Sequence, residues 1–254
     1  MYKGKIIYNP KPKAAEYSKW AANFYNGCSG NCTYCYLKDP PLNQFWSTTP
    51  KLKKSLINEW TAYEIFIKEI KKNKKELQKD GLFFNFNSDP FLKSTYYLNH
   101  KAIIYCQKND IPVKISTKQT WWLDKIVLRN KNISVGFTLT GHDELEPGCA
   151  TNAERIQAIK TLKERGYKTW ASIEPIIKLE NSREMIMQCY GFCDHFKIGL
   201  KSKTKYNIPL LQNFIKIINN TLYDKKIYWK DSLLKQAGIN RQDLPSNCVD
   251  RDFF

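Results

Sequence analysis

The sequence lacks any apolar run long enough to cross a membrane, and its opening stretch, MYKGKIIYNP, has none of the apolar core of a signal peptide. No stretch rich in glycine, proline or serine divides the 254 residues. These absences argue against a membrane-spanning protein, a secreted disulfide framework and a second domain. They predict a cytoplasmic protein with a single domain over residues 1–254, in which a core of about 20–230 lies between an N-terminal extension, 1–19, and a C-terminal tail, 231–254.

Acidic residues are scarce beside basic ones. The chain has 24 Asp and Glu against 41 Lys and Arg, which gives a formal net charge of +17. Such an excess favours a polyanionic partner, either a nucleic acid or a nucleotide. The alternative is compositional, because lysine far outnumbers arginine and many lysines fall on helix faces, where a solvated charge is ordinary. The charge alone leaves both interpretations open.

Three cysteines lie close together in the stretch NFYNGCSGNCTYCYLK, residues 23–38. Cys28, Cys32 and Cys35 have the spacing C-x3-C-x2-C, and thiolate sulfur selects zinc, copper(I) or iron–sulfur clusters. On a cubane 4Fe–4S cluster, three thiolates hold three irons and leave the fourth free for a non-protein ligand. A structural zinc site needs a fourth protein ligand. The other cysteines and the three histidines could supply one from a distance, so zinc stays an alternative.

Hydrophobic periodicity predicts strands that alternate with helices along the chain. The predicted strands are 20–25, 82–86, 113–117, 133–139, 169–173, 195–200 and 227–229. The predicted helices are 58–79, 96–108, 121–129, 152–165, 183–192 and 208–218. Two early prolines, Pro10 and Pro12, are expected to block regular structure in the N-terminal extension.

This alternation predicts an α/β fold with a parallel sheet. About six strand–helix units follow the first strand, too few for a full eight-fold barrel but enough for a partial one. Active sites of such folds lie at the carboxyl ends of the strands. The sequence places polar side chains there: Ser88 and Asp89 after the second strand, Thr117 and Lys118 after the third, and Glu174 after the fifth.

The cysteine spacing, followed by an aromatic residue, resembles the signature of radical S-adenosylmethionine (radical SAM) enzymes. The wider run NxYxGCxxxCxYCY resembles the subgroup of spore photoproduct lyase and its photolyase-like relatives. Ser88 to Phe91 resembles the (T/S)DP(Y/F) element of those relatives, and Thr117-Lys118 resembles their TK(S/T) element. Residues 142–177 resemble their EPxAPxxxxRLxAI segment, so the resemblance covers roughly residues 20–180.

The resemblance implies a partial (β/α)6 TIM-like barrel of the radical SAM type. It implies a 4Fe–4S cluster on Cys28, Cys32 and Cys35, with SAM on the open iron, and a reductant of the flavodoxin or ferredoxin kind. The cofactor-binding residues that it implies are Tyr34, Ser88, Asp89, Thr117, Lys118 and Glu174. The backbone of Tyr34 would lie against the adenine, while Ser88 and Lys118 would take the amino and carboxylate groups of the methionine moiety.

Two tyrosines flank the third cysteine, and the lyase uses tyrosines in this CxYCYL pattern to relay hydrogen back to the cofactor. The resemblance therefore assigns catalytic roles to Tyr34 and Tyr36, against an alternative in which both pack around the cluster. Phe86 stands where the lyase has its hydrogen-donating cysteine, which argues against an identical thymine-dimer repair. Glu146 and Arg155 are expected to order the loop and helix after the fourth strand, or else to be surface charges.

Three functions follow from these patterns. The first is a radical SAM enzyme whose 5′-deoxyadenosyl radical abstracts hydrogen from a nucleic acid or another anionic molecule. The second is a radical SAM modifier of a peptide or small molecule, for which the positive charge is incidental. The third is a non-catalytic, zinc-dependent nucleic-acid-binding protein.

Overall fold

The computed structural model describes residues 1–125 and 132–250. The strands in these ranges are β1 (Ile7–Tyr8), β2 (Ala21–Ala22), β3 (Tyr25–Asn26), β4 (Lys51–Leu52), β5 (Leu82–Phe84), β6 (Val113–Thr117), β7 (Ile133–Thr138), β8 (Lys168–Ile176), β9 (His195–Leu200) and β10 (Lys226–Trp229). The helices are α1 (Pro12–Ala15), α2 (Glu59–Lys72), α3 (Lys74–Asp80), α4 (Tyr96–Lys108), α5 (Asn152–Glu164), α6 (Leu179–Cys189), α7 (Ile208–Thr221) and α8 (Asp231–Ala237). None of the described helices is long and apolar enough to cross a membrane.

An eight-stranded sheet forms the centre of the fold, with the strand order β1-β2-β5-β6-β7-β8-β9-β10. All of its neighbouring strands are parallel except β1, which pairs antiparallel with β2. Strands β3 and β4 form a separate antiparallel ribbon. Six parallel strands follow β2 in chain order, each beside its predecessor, which confirms the α/β fold and its partial-barrel arrangement.

The two faces of the sheet carry two hydrophobic cores, because successive side chains of a strand point to opposite faces. Leu82 and Phe84 of β5 belong to the large core that contains residues from the helices, whereas Phe83 belongs to a small cluster with Ala21 and Trp170. Gly136 of β7 lies so close to the Trp170 ring that a Cβ there would be 2.0 Å from a ring carbon. Because Gly136 has no side chain, the Trp170 ring can pack directly against the sheet, on the face opposite the helices.

Two of the predicted elements are each divided in the structure. The predicted strand 20–25 is two strands in different sheets, interrupted at Asn23, whose side-chain oxygen accepts from the Phe86 N–H at 2.8 Å. The predicted helix 58–79 is divided into α2 and α3 at Asn73, whose side chain donates to the Glu69 carbonyl at 2.8 Å. An asparagine amide that bonds the backbone competes with regular structure at both places.

The N-terminal extension is more regular than the sequence predicted. Ile7 and Tyr8 form β1 at one end of the sheet order, and Pro12 begins α1. Proline is accepted at the first helical position because its missing N–H would have no helical partner there. Of the predicted helix 121–129, the described residues 121–125 form turns and the remainder lies outside the described residues.

Candidate cofactor site

The three cysteines of the C-x3-C-x2-C motif lie on one loop between β3 and a short 3₁₀ turn, Tyr36–Lys38. The loop leaves the ribbon at Gly27, where φ is +86° and a Cβ would lie 2.8 Å from the Thr49 carbonyl oxygen. Cys32 is buried, whereas Cys28 and Cys35 are half-buried. In the described part of the chain, no three His, Cys, Asp or Glu side chains are grouped to hold a single metal ion.

A fourth thiol, that of Cys149, reaches the same loop from the segment before α5. Its sulfur lies 3.8 Å from the sulfur of Cys32. Three sulfurs lie around Gly30. A Cβ on this residue would lie 3.0 Å from the Cys149 sulfur, 3.3 Å from that of Cys28 and 3.9 Å from that of Cys32. The hydrogen bond with Cys149 lowers the pKa of Cys32, although burial acts in the opposite direction. The sequence included Cys149 only among the cysteines that could supply a distant ligand, since no local spacing links it to the motif.

Close backbone contacts hold the Cys149 segment against the cysteine loop. The Thr33 N–H donates to the Leu145 carbonyl at 2.9 Å, and the Gly148 N–H donates to the Gly30 carbonyl at 3.1 Å. A Cβ on Gly148 would lie 2.0 Å from the Ser29 carbonyl oxygen, so only glycine fits at this contact. The four thiols therefore belong to one joined pair of loops.

Two buried charged residues, Arg155 and Glu146, hold this pair of loops together. Arg155 donates through Nη2 to the Glu146 carboxylate, and its Nη1 donates to the Thr138 carbonyl at 2.6 Å. Glu146 also accepts from the Tyr34 hydroxyl. Both charged residues are buried, which answers the question that the sequence left open: they order the loop and are not surface charges.

Lys118 brings a positive charge to all three motif cysteines. Burial raises the pKa of Cys28 to about 12, and it also raises the pKa of Cys35. The Lys118 ammonium acts in the opposite direction on both thiols, and it lowers the pKa of Cys32 as well. The ammonium lies 3.9 Å from Glu146 Oε1 and 5.5 Å from the centre of the Tyr34 ring. Burial opposes its charge, but the surrounding Tyr34, Cys32 and Glu146 raise the pKa of Lys118, so it stays a cation.

Asp89 fixes the backbone on which Lys118 stands. Its Oδ2 accepts from the Lys118 N–H at 2.8 Å, and its Oδ1 accepts from the Thr117 hydroxyl at 2.7 Å and the Phe91 N–H at 2.9 Å. Asp89 and Thr117 thus join the carboxyl ends of β5 and β6. Ser88 next to them is different: its side chain is buried at 8% exposure, and its hydroxyl has no hydrogen-bond partner in the described residues.

Tyr36 and Glu174, the two remaining predicted site residues, have partners of their own. The Tyr36 hydroxyl donates to the Phe86 carbonyl. Glu174 accepts from the Lys230 ammonium at 2.9 Å and from the Tyr17 hydroxyl at 2.5 Å. Burial and the Glu174 carboxylate raise the pKa of Tyr17, so its hydroxyl stays a donor. Sequence reasoning missed Tyr17 and Lys230, which lie far along the chain from Glu174.

The residues present fit the cofactor pair that the motif implies. A cubane distributes its thiolates over separate irons, so its ligands need not converge as those of a single ion do. An amino acid bound beside it would need a cation for its carboxylate and polar groups for its amine. Lys118 and the unpartnered Ser88 hydroxyl supply such groups next to the loop.

Comparison with known proteins extends this picture. The fold matches that of a spore photoproduct lyase double mutant with bound AdoMet and a dinucleoside spore photoproduct, with a TM-score of 0.60 and 19% sequence identity. The match covers 86% of this chain and 64% of the lyase chain. It is also 26% identical over 239 residues to an uncharacterized protein of Methanocaldococcus jannaschii, covering 87% of this chain and 88% of that protein.

The family comparison bears on the choice between an enzyme and a zinc-binding protein. The family model of the radical SAM superfamily matches residues 22–193, which include the cysteine loop, Ser88, Lys118 and Glu174. This match sets aside the non-catalytic zinc protein. The chain belongs to the radical SAM superfamily and is a radical SAM enzyme.

Proposed function

We propose that this radical SAM enzyme holds a 4Fe–4S cluster on Cys28, Cys32 and Cys35 and binds SAM at the fourth iron. The observation that carries the proposal is the loop of free cysteines Cys28, Cys32 and Cys35 inside the segment that matches the radical SAM family model. The proposal includes a flavodoxin-like or ferredoxin-like electron donor and a reducing, cytoplasmic setting, which suits the eight free cysteines.

When bound, the cluster and SAM supply a 5′-deoxyadenosyl radical that can abstract hydrogen from a substrate. The chain's own residues bind and orient. Lys118 offers its ammonium to the methionine carboxylate, and Ser88 offers a hydroxyl to the amine. Asp89 keeps Lys118 in place through its backbone N–H. The Tyr36 hydroxyl donates to the carbonyl of Phe86, which packs against the small aromatic cluster, and there a hydrogen-relaying hydroxyl would face the substrate.

Tyr34 and Glu174 have further parts in the proposal. The Tyr34 hydroxyl is held by Glu146, so its backbone is fixed between two cluster ligands, where it would lie against the adenine. Because Tyr17 and Lys230 already bond Glu174, that carboxylate would contact the ribose only through its remaining lone pairs. A catalytic role for the Tyr34 hydroxyl would require it to leave Glu146.

We further propose that the substrate is a nucleic acid. The net charge of +17 supports this class. The test is an anaerobic assay for 5′-deoxyadenosine with the reconstituted protein, a chemical reductant and SAM, run with and without single-stranded and duplex DNA and RNA. Formation of 5′-deoxyadenosine supports the chemistry. Stimulation by a nucleic acid supports the substrate class, whereas stimulation only by peptides would favour the peptide-modifying alternative.

Replacing Lys118 should weaken SAM binding without loss of the cluster. A hydrogen bond to a charged group is worth about 1.5–3 kcal/mol. Lys118→Ala should therefore bind SAM roughly ten- to a hundred-fold more weakly. Isothermal titration of the reconstituted variant measures this loss, and iron analysis should give the wild-type content because Lys118 is not a ligand.

The matched control for Lys118 is Lys168→Ala, since Lys168 is an exposed lysine at the amino end of β8, away from the site. It should bind SAM as the wild type does. Wild-type affinity in Lys118→Ala would remove Lys118 from the site and would weaken the assignment of Ser88 with it.

Nucleic-acid binding should depend steeply on salt. Lysines that contact phosphates release counterions, so the logarithm of the affinity should fall linearly with the logarithm of salt concentration. A purely compositional charge would give no more than the roughly 10⁻⁴–10⁻⁶ M of non-specific binding at physiological salt. Because non-specific binding also weakens with salt, the affinity at physiological salt and a preference for one oligonucleotide separate the two cases. Equal, weak binding to every oligonucleotide tried would contradict a nucleic-acid substrate.

A further inference from the structure

A groove lies on the outer surface between α2 and α4, on elements that the cofactor site does not use. It encloses about 370 Å³ and is lined by Tyr63, Tyr97, His100, Lys101 and Lys108, among others. We call it the α2–α4 groove. Two large rings are exposed in or near it: Tyr97, in its lining, is 64% exposed, and Trp60, one turn before Tyr63 on α2, is 67% exposed. Rings of this size that are left to solvent together mark a binding surface.

The groove combines these rings with positive charge. Lys101 and Lys108 line it, and within the described ranges no carboxylate is among its lining residues. The Lys101 ammonium lies 4.2 Å from the centre of the Tyr63 ring and 5.4 Å from that of Trp60, so the cation and the rings are already arranged together.

One end of the groove lies at the edge of the fold that holds the cofactor site. In a parallel α/β unit the helix begins where the chain leaves the carboxyl end of a strand, which is the edge that holds the site. Trp60 and Tyr97 lie in the first turns of α2 and α4. The segment that leads into α4 contains Ser88 and Asp89, so the open end of the groove and the cofactor site share one edge of the fold.

We propose that the α2–α4 groove binds single-stranded nucleic acid and leads the strand to the cofactor site. Bases would stack on Trp60 and Tyr97, and phosphates would pair with Lys101 and Lys108. Flat rings beside lysines suit a nucleic acid better than an acidic protein, because every base offers a face for stacking. This proposal rests on the proposed function, since it concerns how the substrate of that same site is held.

Fluorescence anisotropy with a labelled oligothymidylate tests the groove on the reconstituted, full-length protein. Stacking of one base is worth enough that Trp60→Ala and Tyr97→Ala should each weaken binding roughly five- to a hundred-fold. Lys101→Ala should in addition reduce the log–log salt slope by about 0.7, the value for one phosphate of a single strand. These side chains are largely exposed or at the groove surface, and wild-type melting curves would show that the variants fold.

Matched controls lie on and beyond α7, on the far side of the sheet order. Tyr223→Ala removes a ring that is 74% exposed, and Lys216→Ala removes a helix-surface lysine. Neither substitution should change the affinity for the oligonucleotide or the log–log salt slope. Wild-type affinity in Trp60→Ala and Tyr97→Ala would overturn the groove and leave the proposed function standing, whereas a wild-type protein that binds no oligonucleotide would contradict the substrate class itself. A third outcome would also overturn the proposal. If Trp60→Ala and Tyr97→Ala bind the oligonucleotide normally but an electron-donor protein no longer reduces their cluster, the groove is the docking site of that donor.

Discussion

Replacing any one of Cys28, Cys32 and Cys35 with alanine should abolish stable binding of a 4Fe–4S cluster. Each thiolate would hold a different iron, and the motif itself has no fourth thiol to replace a lost ligand. The variants should lose the visible absorbance of the cluster and should form no 5′-deoxyadenosine. Iron and sulfide analysis after anaerobic reconstitution measures the loss directly.

Cys149→Ala is the sharpest control for the cysteine loop, because its sulfur lies 3.8 Å from that of Cys32 but outside the motif. We expect it to keep the iron and sulfide content of the wild type. Cys106→Ala, Cys189→Ala and Cys248→Ala should do so too, since those thiols lie in the large core or packed against it. Iron loss in Cys149→Ala equal to that in Cys32→Ala would mean that the ligand set is wrong.

Local sequence patterns predicted the elements whose burial is decided locally. Strands β6 and β9 and helix α4 have the predicted bounds because apolar residues recur at every second position of the two strands and along one face of the helix. The predicted strand 20–25 was wrong in its bounds because Asn23 bonds a residue 63 positions away. No periodicity within the segment could show that partner.

The residues of the candidate site likewise divide into those that the sequence could predict and those that it could not. The three motif cysteines could be found because a short loop fixes their spacing, and Lys118 and Ser88 because strands of a parallel sheet end at a common edge. Cys149 and Tyr17 could not, since their contacts with Cys32 and Glu174 span 117 and 157 positions. Such contacts exist only once the fold is formed.

The buried ion pair beneath the cysteine loop should be important for stability. Arg155 is 0% exposed and Glu146 is 2% exposed, and Arg155 also bonds the Ala150 carbonyl at 2.9 Å. Removing one partner of a buried pair leaves the other charge in a medium that cannot solvate it, at a cost of about 3–5 kcal/mol. Arg155→Met should therefore lower the free energy of unfolding of the cluster-free protein by about that amount, as measured by urea denaturation.

A second substitution distinguishes the unpaired charge from lost packing. In the Arg155→Met background, Glu146→Gln removes the buried charge while keeping the shape of the side chain, so most of the lost stability should return. The exposed Arg183→Ala on α6 should change stability by no more than about 0.5 kcal/mol. A loss in Arg155→Met as small as that in Arg183→Ala would contradict the bracing role, because it would mean that Glu146 reaches water or another cation when Arg155 is gone. Lys118, 3.9 Å from Glu146, is the nearest described candidate for that cation, and the triple variant with Lys118→Ala would identify it.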